Sequence, residues 1–376
     1  MIFIAGIVIS LFLSALLLFK KNKNNADKIL LVWFFLIAIH QSFYYYDNSI
    51  YLNKHPFLIG LYLPLPLIHG PFLFLYASAL VNILPKRKIF NLFHFLPTLI
   101  CYIYLIEFFT MPADRKIEIM ANKGEGFETF ILINFLAIIL SGISYVIATL
   151  LLLRIHSKKI KDNFSDIEKI NLKWLQYLTY GIGIIWLVVI FGNGELTFIT
   201  IVLFVMVIGF FGIKQTPIFT SHNPPLYLSG VSEQIQNVDI PAIDSNPGDV
   251  QKRYETSGLS QSRKLVIAED LKKFVEEDKL FLNPELSLDM LAEHLHIHPN
   301  YLSQYINEEL SLTFYDYINS KRVDEFKKII HLPQNSHLSM LGLAFECGFN
   351  SKSSFNRNFR KFSGQTPSEY LAELKK

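Results

Sequence analysis

Long uncharged apolar runs alternate with short charged ones over the first 213 residues. Residues 1–19, MIFIAGIVISLFLSALLLF, carry no charged side chain. Further apolar runs fall at about 29–46, 57–84, 89–110, 128–153, 174–191 and 196–213. A helix crosses a ~30 Å hydrocarbon core with about 20 apolar residues, so the pattern predicts a seven-helix transmembrane bundle over residues 1–213. A cleaved signal would have its basic residues before the apolar stretch and a small-residue cleavage site after it. Here Lys20, Lys21 and Lys23 follow the run instead. From Lys214 to about Ser260 the periodicity stops, and Pro, Gly, Ser and Asn accumulate in TSHNPPLYLSG and DIPAIDSNPGD. That composition predicts a flexible cytoplasmic linker over 214–260. From 261 to 376 the period becomes that of amphipathic soluble helices, so the predicted fold class is all-α throughout.

Charge orients the bundle. The formal net charge is only +3, but its distribution is uneven. With the N-terminus outside, the inner loops hold Lys20, Lys21, Lys23 and Lys28; then Lys86, Arg87 and Lys88; then Arg154, Lys158, Lys159, Lys161, Lys169 and Lys173. The outer loops hold Lys54, and a set of Arg115, Lys116 and Lys123 balanced by Asp114, Glu118 and Glu125. The positive-inside rule then predicts a multi-pass protein of the inner (cytoplasmic) membrane whose lipid-embedded half ends at the cytoplasmic side. Everything after Ile213 is expected in the cytoplasm.

Candidate chemistry in the membrane half is sparse. LYLPLPLIHGPF places Pro64, Pro66 and Pro71 in the third run, and each proline removes a backbone donor. Inside a bilayer such a break needs protein or a water-lined cavity to satisfy the freed groups. This makes Pro64, Pro66 and Pro71, with the intramembrane histidines His40, His69 and His94, the candidate wall of a signal-binding pocket. A simple proline kink without a ligand is the plainer alternative. The histidines lack paired spacing, and Cys101 and Cys347 cannot form a disulfide framework or zinc site. No metal, cofactor or enzymatic nucleophile–base pair is predicted.

The last 116 residues are more informative. RKLVIAEDLKKFVEEDKLF has an apolar stripe at Leu265, Ile267, Ala268, Leu271, Phe274 and Val275. Two short helices follow in LSLDMLAEHLHIHPNYLSQYINEEL, the first capped by Ser287 and the second opening on Pro299. Two short helices joined by a tight turn predict a helix-turn-helix. After a linking helix, TFYDYINSKRVDEFKKII, the pattern recurs. SMLGLAFECGF ends at Gly348, and NSKSSFNRNFRKF follows with Phe355, Phe359 and Phe362 on one stripe. The opposite face of this helix offers Lys352, Ser353, Asn356, Arg357, Arg360 and Lys361, with no acid among them. A merely solvated face interleaves acids for i,i+4 pairing. A run of bases with amides and hydroxyls suits phosphates and base edges.

These residues resemble the AraC/XylS family of bacterial transcription regulators. The resemblance lies in LAEHLHIHPNYLSQYINEEL and, more specifically, in LAFECGFNSKSSFNRNFRKFSGQTPSEY, with Ala344, Gly348, Phe349, Ser354, Phe355, Arg357, Phe359, Lys361, Gly364, Thr366, Pro367 and Tyr370 in register. It covers residues 261–376, and YETSGLS before the domain with NSKSSFNR within it resembles a membrane-anchored subgroup of the Bacteroidetes type. The resemblance implies a double helix-turn-helix domain whose two recognition helices enter successive major grooves about one turn of DNA apart. The first head would offer His298, Asn300, Ser303, Gln304 and Asn307, none of them basic. The chain departs from the pattern at His296 and Ser311, where glycine is usual, and at Phe326, where a small alanine is usual.

The predicted function is therefore a membrane-embedded one-component transcription regulator. Double-stranded DNA, RNA polymerase and an unknown signal molecule or membrane partner are its expected partners. One chain carries two reading heads, so a monomer suffices, and a homodimer through the membrane half stays open. Two other classes also stay open: a transporter or enzyme with a regulatory tail, which would want paired broken helices or a nucleophile–base pair, and a scaffold whose helix-turn-helix binds protein.

Overall fold

The computed structural model describes residues 2–47, 54–85, 87, 89–168, 170–192, 194–215 and 261–374. The linker beyond Gln215, and Lys86, Lys88 and Lys169 of the charge pattern, lie outside them. Among the described residues the chain is helical, with one isolated antiparallel bridge, Phe164 to Ser287. The contacts divide it into two units. One holds residues up to Arg154 and those from Lys173 through the last apolar helix. The other holds Ile155–Leu172 together with the residues from 261 onward.

The first unit is built from α1 (Ile2–Phe19), α2 (Asn25–Asp47), α3 (Pro66–Leu80), α4 (Ile89–Leu92), α5 (Leu96–Tyr104), α6 (Ile106–Thr110), α7 (Ala113–Ala121), the first part of α8 (Glu128–Asn163), α9 (Lys173–Phe191) and α10 (Gly194–Gln215). Three of these, α2, α8 and α9, are long and apolar enough to cross a membrane. Four further stretches are apolar but shorter: Ile4–Phe19, Pro66–Leu80, Ile89–Tyr104 and Leu196–Phe211. The seven apolar runs thus all contain helix, but not as seven uniform spans.

The third and fourth runs depart from the expectation for local reasons. In the third, Gly60–Leu65 is a series of turns, and the helix starts only at Pro66, with Pro71 inside it. Protein side chains take up two of the exposed carbonyls. Tyr102 Oη donates to the Leu61 carbonyl at 2.7 Å, and Asn134 Nδ2 to that of Leu63 at 3.0 Å. The fourth run breaks into α4, a 3-10 turn at Phe93–Phe95, α5 and α6.

The core of this unit gathers where α1, α2, α3, α9 and α10 pack, around Leu17, Leu30, Trp33, Phe34, Leu73, Leu175 and Val205. Trp33 stacks on Phe72. Lys20, expected in a solvated inner loop, is instead buried and pairs with Asp27 at 2.6 Å. Asn24 and Asp27 cap each other's backbone N–H and so start α2. The outward faces are apolar: Phe12, Leu99, Ile103, Leu140, Leu187 and Leu203 are all exposed.

The second unit continues with α11 (Gln261–Lys273), α12 (Leu288–His294), α13 (Pro299–Glu308), α14 (Phe314–Ile329), α15 (Met340–Glu346), α16 (Lys352–Ser363) and α17 (Pro367–Leu374). One core joins α11–α14 through Phe274, Leu291, Leu302, Ile306 and Ile318. Another joins α14–α17 through Phe326, Leu343, Ala344, Phe355 and Phe359. Phe326, in place of a small residue, fills that core by packing on Phe355 and Phe359, with ring centres 4.8 and 5.6 Å away. Ile267, Leu271 and Phe274 of the predicted α11 stripe are buried, but Leu265 is not: it is 65% exposed, because the stripe that packs is narrower than the run of apolar letters.

Candidate nucleic-acid interface

Two short-helix pairs, α12–α13 and α15–α16, repeat one plan. Each first helix is capped by a serine: Ser287 Oγ accepts from the Met290 N–H and Ser339 Oγ from the Gly342 N–H. Each ends on a residue of positive φ, His296 (φ 54) and Gly348 (φ 86). The next N–H then closes the turn over the helix end, Ile297 to the Ala292 carbonyl at 3.0 Å and Phe349 to that of Ala344 at 3.1 Å. The recognition helices start on Pro299 and on the Ser351 cap. They are followed by positive-φ residues again, Ser311 (φ 53) and Gly364 (φ 79).

His296 and Ser311 therefore hold a backbone that favours glycine. A non-glycine residue in the left-handed region is disfavoured by ~1–2 kcal/mol. His296→Gly is expected to stabilise the second unit by about 0.5–1 kcal/mol after the extra freedom of the unfolded glycine is counted. Urea unfolding of the full chain checks it.

On the first recognition helix, α13, the predicted residues form one exposed or half-buried group but are largely engaged with each other. The His298 ring caps α13 by accepting from the Asn300 N–H at 3.2 Å. Gln304 Nε2 donates to both oxygens of Glu308 at 3.1 Å, and Asn307 Nδ2 to the Ser303 carbonyl at 2.9 Å. This head offers amides and hydroxyls beside an acid.

On α16 the buried stripe is Phe355 and Phe359, with Phe362 half-buried, and Lys352, Ser353, Asn356, Arg357, Arg360 and Lys361 are all exposed together. The face is basic in sequence but not acid-free in space. Glu168 Oε1 accepts from Ser353 Oγ at 2.6 Å and lies 3.9 Å from the Arg357 guanidinium. Arg357 also donates to Tyr315 Oη at 2.9 Å, and Lys361 pairs with Asp316 at 2.6 Å. Asn350, just ahead of α16, donates to Asp166 at 2.7 Å.

A buried residue that sequence reading passes over organises this unit. Arg322, on α14, is 1% exposed. It donates to the carbonyls of Phe281 and Asn283, both at 2.7 Å, and to Ser165 Oγ at 3.1 Å. Burial pulls its guanidinium down to about 10, against the attraction of Asp166 and Tyr315. An arginine inside an otherwise amphipathic helix pattern was the one available signal, and it does not say what it holds.

In the first unit the candidate pocket residues make two sets of contacts, both against α3: Phe74 of α3 lies 5.7 Å from the His94 ring, and Gly70 packs on Tyr145. His40 and His69 meet at 2.8 Å, and Trp33 Nε1 donates to His69 at 3.2 Å. Pro66, Pro71 and His69 share α3, and Pro64 precedes it. His94 instead pairs with Tyr145 Oη at 2.8 Å. Among the described residues no cluster of three or more His, Cys, Asp or Glu could hold a metal ion.

Residues 291–373 match the sequence profile of a helix-turn-helix domain family, and this C-terminal domain is of the AraC type. Its curated relatives carry the names of transcription regulators. The melibiose operon regulatory protein of Escherichia coli is 25% identical over 155 residues, 38% of this chain and 49% of that protein. The uncharacterized HTH-type transcriptional regulator YtdP of Bacillus subtilis is 31% identical over 86 residues, 23% of this chain and 11% of that protein. YpdC of Escherichia coli, another such regulator, is 33% identical over 89 residues, 24% and 30% of the two chains. The chain thus spans half or less of the curated relatives it matches. No solved structure matches the chain.

Proposed function

We infer that this protein is a transcription regulator that reads DNA through α13 and α16 and is held in the inner membrane by its N-terminal half, with the N-terminus outside. The observation that carries the DNA-reading half is the duplicated helix-turn-helix, with its second recognition helix presenting Lys352, Ser353, Asn356, Arg357, Arg360 and Lys361 on one exposed face. The membrane half rests on the three long apolar helices and on the inverted surface of the first unit. Large apolar side chains stand exposed over its outward faces, an arrangement lipid favours and water does not. A signal acting on that half, with the His40–His69–Trp33 cluster beside the interrupted third run as its candidate seat, shifts the equilibrium between packings by its differential affinity for them. RNA polymerase is the expected protein partner, and a homodimer through the membrane half is compatible with one chain bearing both heads.

Phosphate contacts fall to Lys352, Arg357, Arg360 and Lys361, and base contacts to Asn300, Gln304, Ser353 and Asn356. His298, Ser303 and Asn307 flank the base-contacting residues of the first head. Arg357→Ala is expected to weaken DNA binding about equally across sequences and to lower the salt slope by about one. Titrations of duplex at several salt concentrations measure both. A loss confined to one sequence, with the slope unchanged, would assign Arg357 to a base edge and overturn this role.

A further inference from the structure

Two carboxylates that stand more than 180 residues earlier in the chain lie on the second recognition head. Glu168 accepts from Ser353 and faces Arg357, and Asp166 accepts from Asn350. All of these residues belong to one compact unit. A phosphate approaching Ser353 and Arg357 would meet a like charge already engaged with both, so Glu168 must leave for DNA to take its place.

The segment that carries Glu168 has a fixed root and a looser tip. At the root, Ser165 is 1% exposed. Its N–H and hydroxyl both donate to the Leu286 carbonyl, at 3.2 and 2.6 Å, and its carbonyl accepts from Asn319 at 2.9 Å. Ile160, Ile167 and Tyr315 form a small core around it. At the tip, the Glu168 N–H donates to Asp166 Oδ1 at 3.0 Å, while its carboxylate is held by a hydroxyl and a distant guanidinium, contacts that water or phosphate can replace. The chain enters this segment from α8 and leaves it into α9, so displacement of either helix is delivered to one of its ends through the covalent chain.

We propose that the Phe164–Glu168 segment is an intramolecular brake on the second recognition helix, with Glu168 occupying Ser353 and Arg357 until a shift of α8 or α9 lifts it away. The proposal rests on the DNA-binding reading of α16. It accounts for a basic face that is occupied in this structure, and it assigns the signal's output to a named side chain.

The test uses the full chain in lipid nanodiscs and a fluorescent duplex of randomised sequence, titrated by anisotropy at low salt. Glu168→Gln keeps the size of the side chain and removes its charge. It is expected to tighten binding by about three- to tenfold, whereas Glu269→Gln, which removes an exposed acid on α11, is expected to change it less than twofold by about the same reasoning. In the unsubstituted protein, amide exchange at residues 166–168 is expected to quicken when duplex is added. If Glu168→Gln binds like the unsubstituted protein while Arg357→Ala binds more weakly, the brake is wrong and the DNA-binding reading stands. Equal tightening by the two Gln variants would reduce the effect to net charge and also end the proposal. If no variant binds duplex at all, the DNA-binding reading fails and the brake goes with it.

Discussion

Arg322→Met is expected to cost the second unit about 3–5 kcal/mol, the loss typical of breaking a buried charged network from one side. The methionine fills much of the volume but leaves the carbonyls of Phe281 and Asn283 and the hydroxyl of Ser165 without their donor. Each unmet buried acceptor costs ~1–3 kcal/mol. These acceptors come from three places: the 3-10 turn after α11, the loop before α12, and the segment after α8. One guanidinium therefore ties the segment after α8 to the stretches at Phe281 and Asn283, which share the α11–α14 core, whereas that segment packs in a separate small cluster. Arg322→Lys should rescue little, because an ammonium lacks the planar fork that reaches several acceptors at once.

Cys347 gives the readout inside the full chain. It is fully buried, and burial, with Glu325 and Glu346 nearby, pushes its thiol up to about 12, so it labels only when the unit opens. The chain has two cysteines, and in a Cys101→Ser background the urea dependence of thiol labelling reports this unit alone. A midpoint unchanged by Arg322→Met would show that the network contributes nothing net.

Gly348→Ala comes second, at about 2–5 kcal/mol from left-handed strain and overpacking together. At φ 86 an alanine is disfavoured for its backbone alone. Its Cβ would also lie 2.6 Å from the Leu282 carbonyl oxygen, which sits between two residues whose carbonyls Arg322 holds, and 2.9 Å from Arg322 Nε itself. Gly364 separates the two causes. Its φ is 79 and nothing lies within 4 Å of the position a Cβ would take, so Gly364→Ala should show the strain of ~1–2 kcal/mol alone. Equal losses at the two positions, measured by the same Cys347 labelling, would mean that the close approach at Gly348 is relieved freely.

The contrast between Gly348 and His296 also shows what a sequence can and cannot reveal. Both close a helix-turn-helix turn with the same backbone. The sequence marks one with glycine and the other with histidine; at Gly348 a Cβ would meet the Leu282 carbonyl and Arg322, whereas His296 carries its side chain on the same backbone. Local signals were legible wherever they were local causes. Uncharged runs located α1, α2, α9 and α10, whereas α8 continues beyond its run at 153, through Arg154, Lys158, Lys159 and Lys161 of the expected inner loop, to Asn163. The Ser287 cap and Pro299 marked α12 and α13, Gly348 marked the end of α15, and the phenylalanine spacing marked the buried side of α16. Prolines announced the broken third run, though the exact side chains that satisfy it, Tyr102 and Asn134, carry no pattern. Leu265 misled because apolar letters adjoining a true stripe look like part of it. The acids on α16 were hidden for a deeper reason. Glu168 and Asp166 read as ordinary loop charges, and only tertiary folding brings them to a helix far along the chain. Arg322 was hidden likewise, since its partners are mostly backbone carbonyls, which every sequence offers equally.

The most direct measurement is to crosslink tagged full-length protein to DNA in its native cell, sequence what it holds, and compare the unsubstituted chain with Glu168→Gln. The account predicts discrete sites sharing a motif of two half-sites about one helical turn apart, more strongly occupied by Glu168→Gln. Intact protein in the membrane with no enriched sites in either form would contradict it.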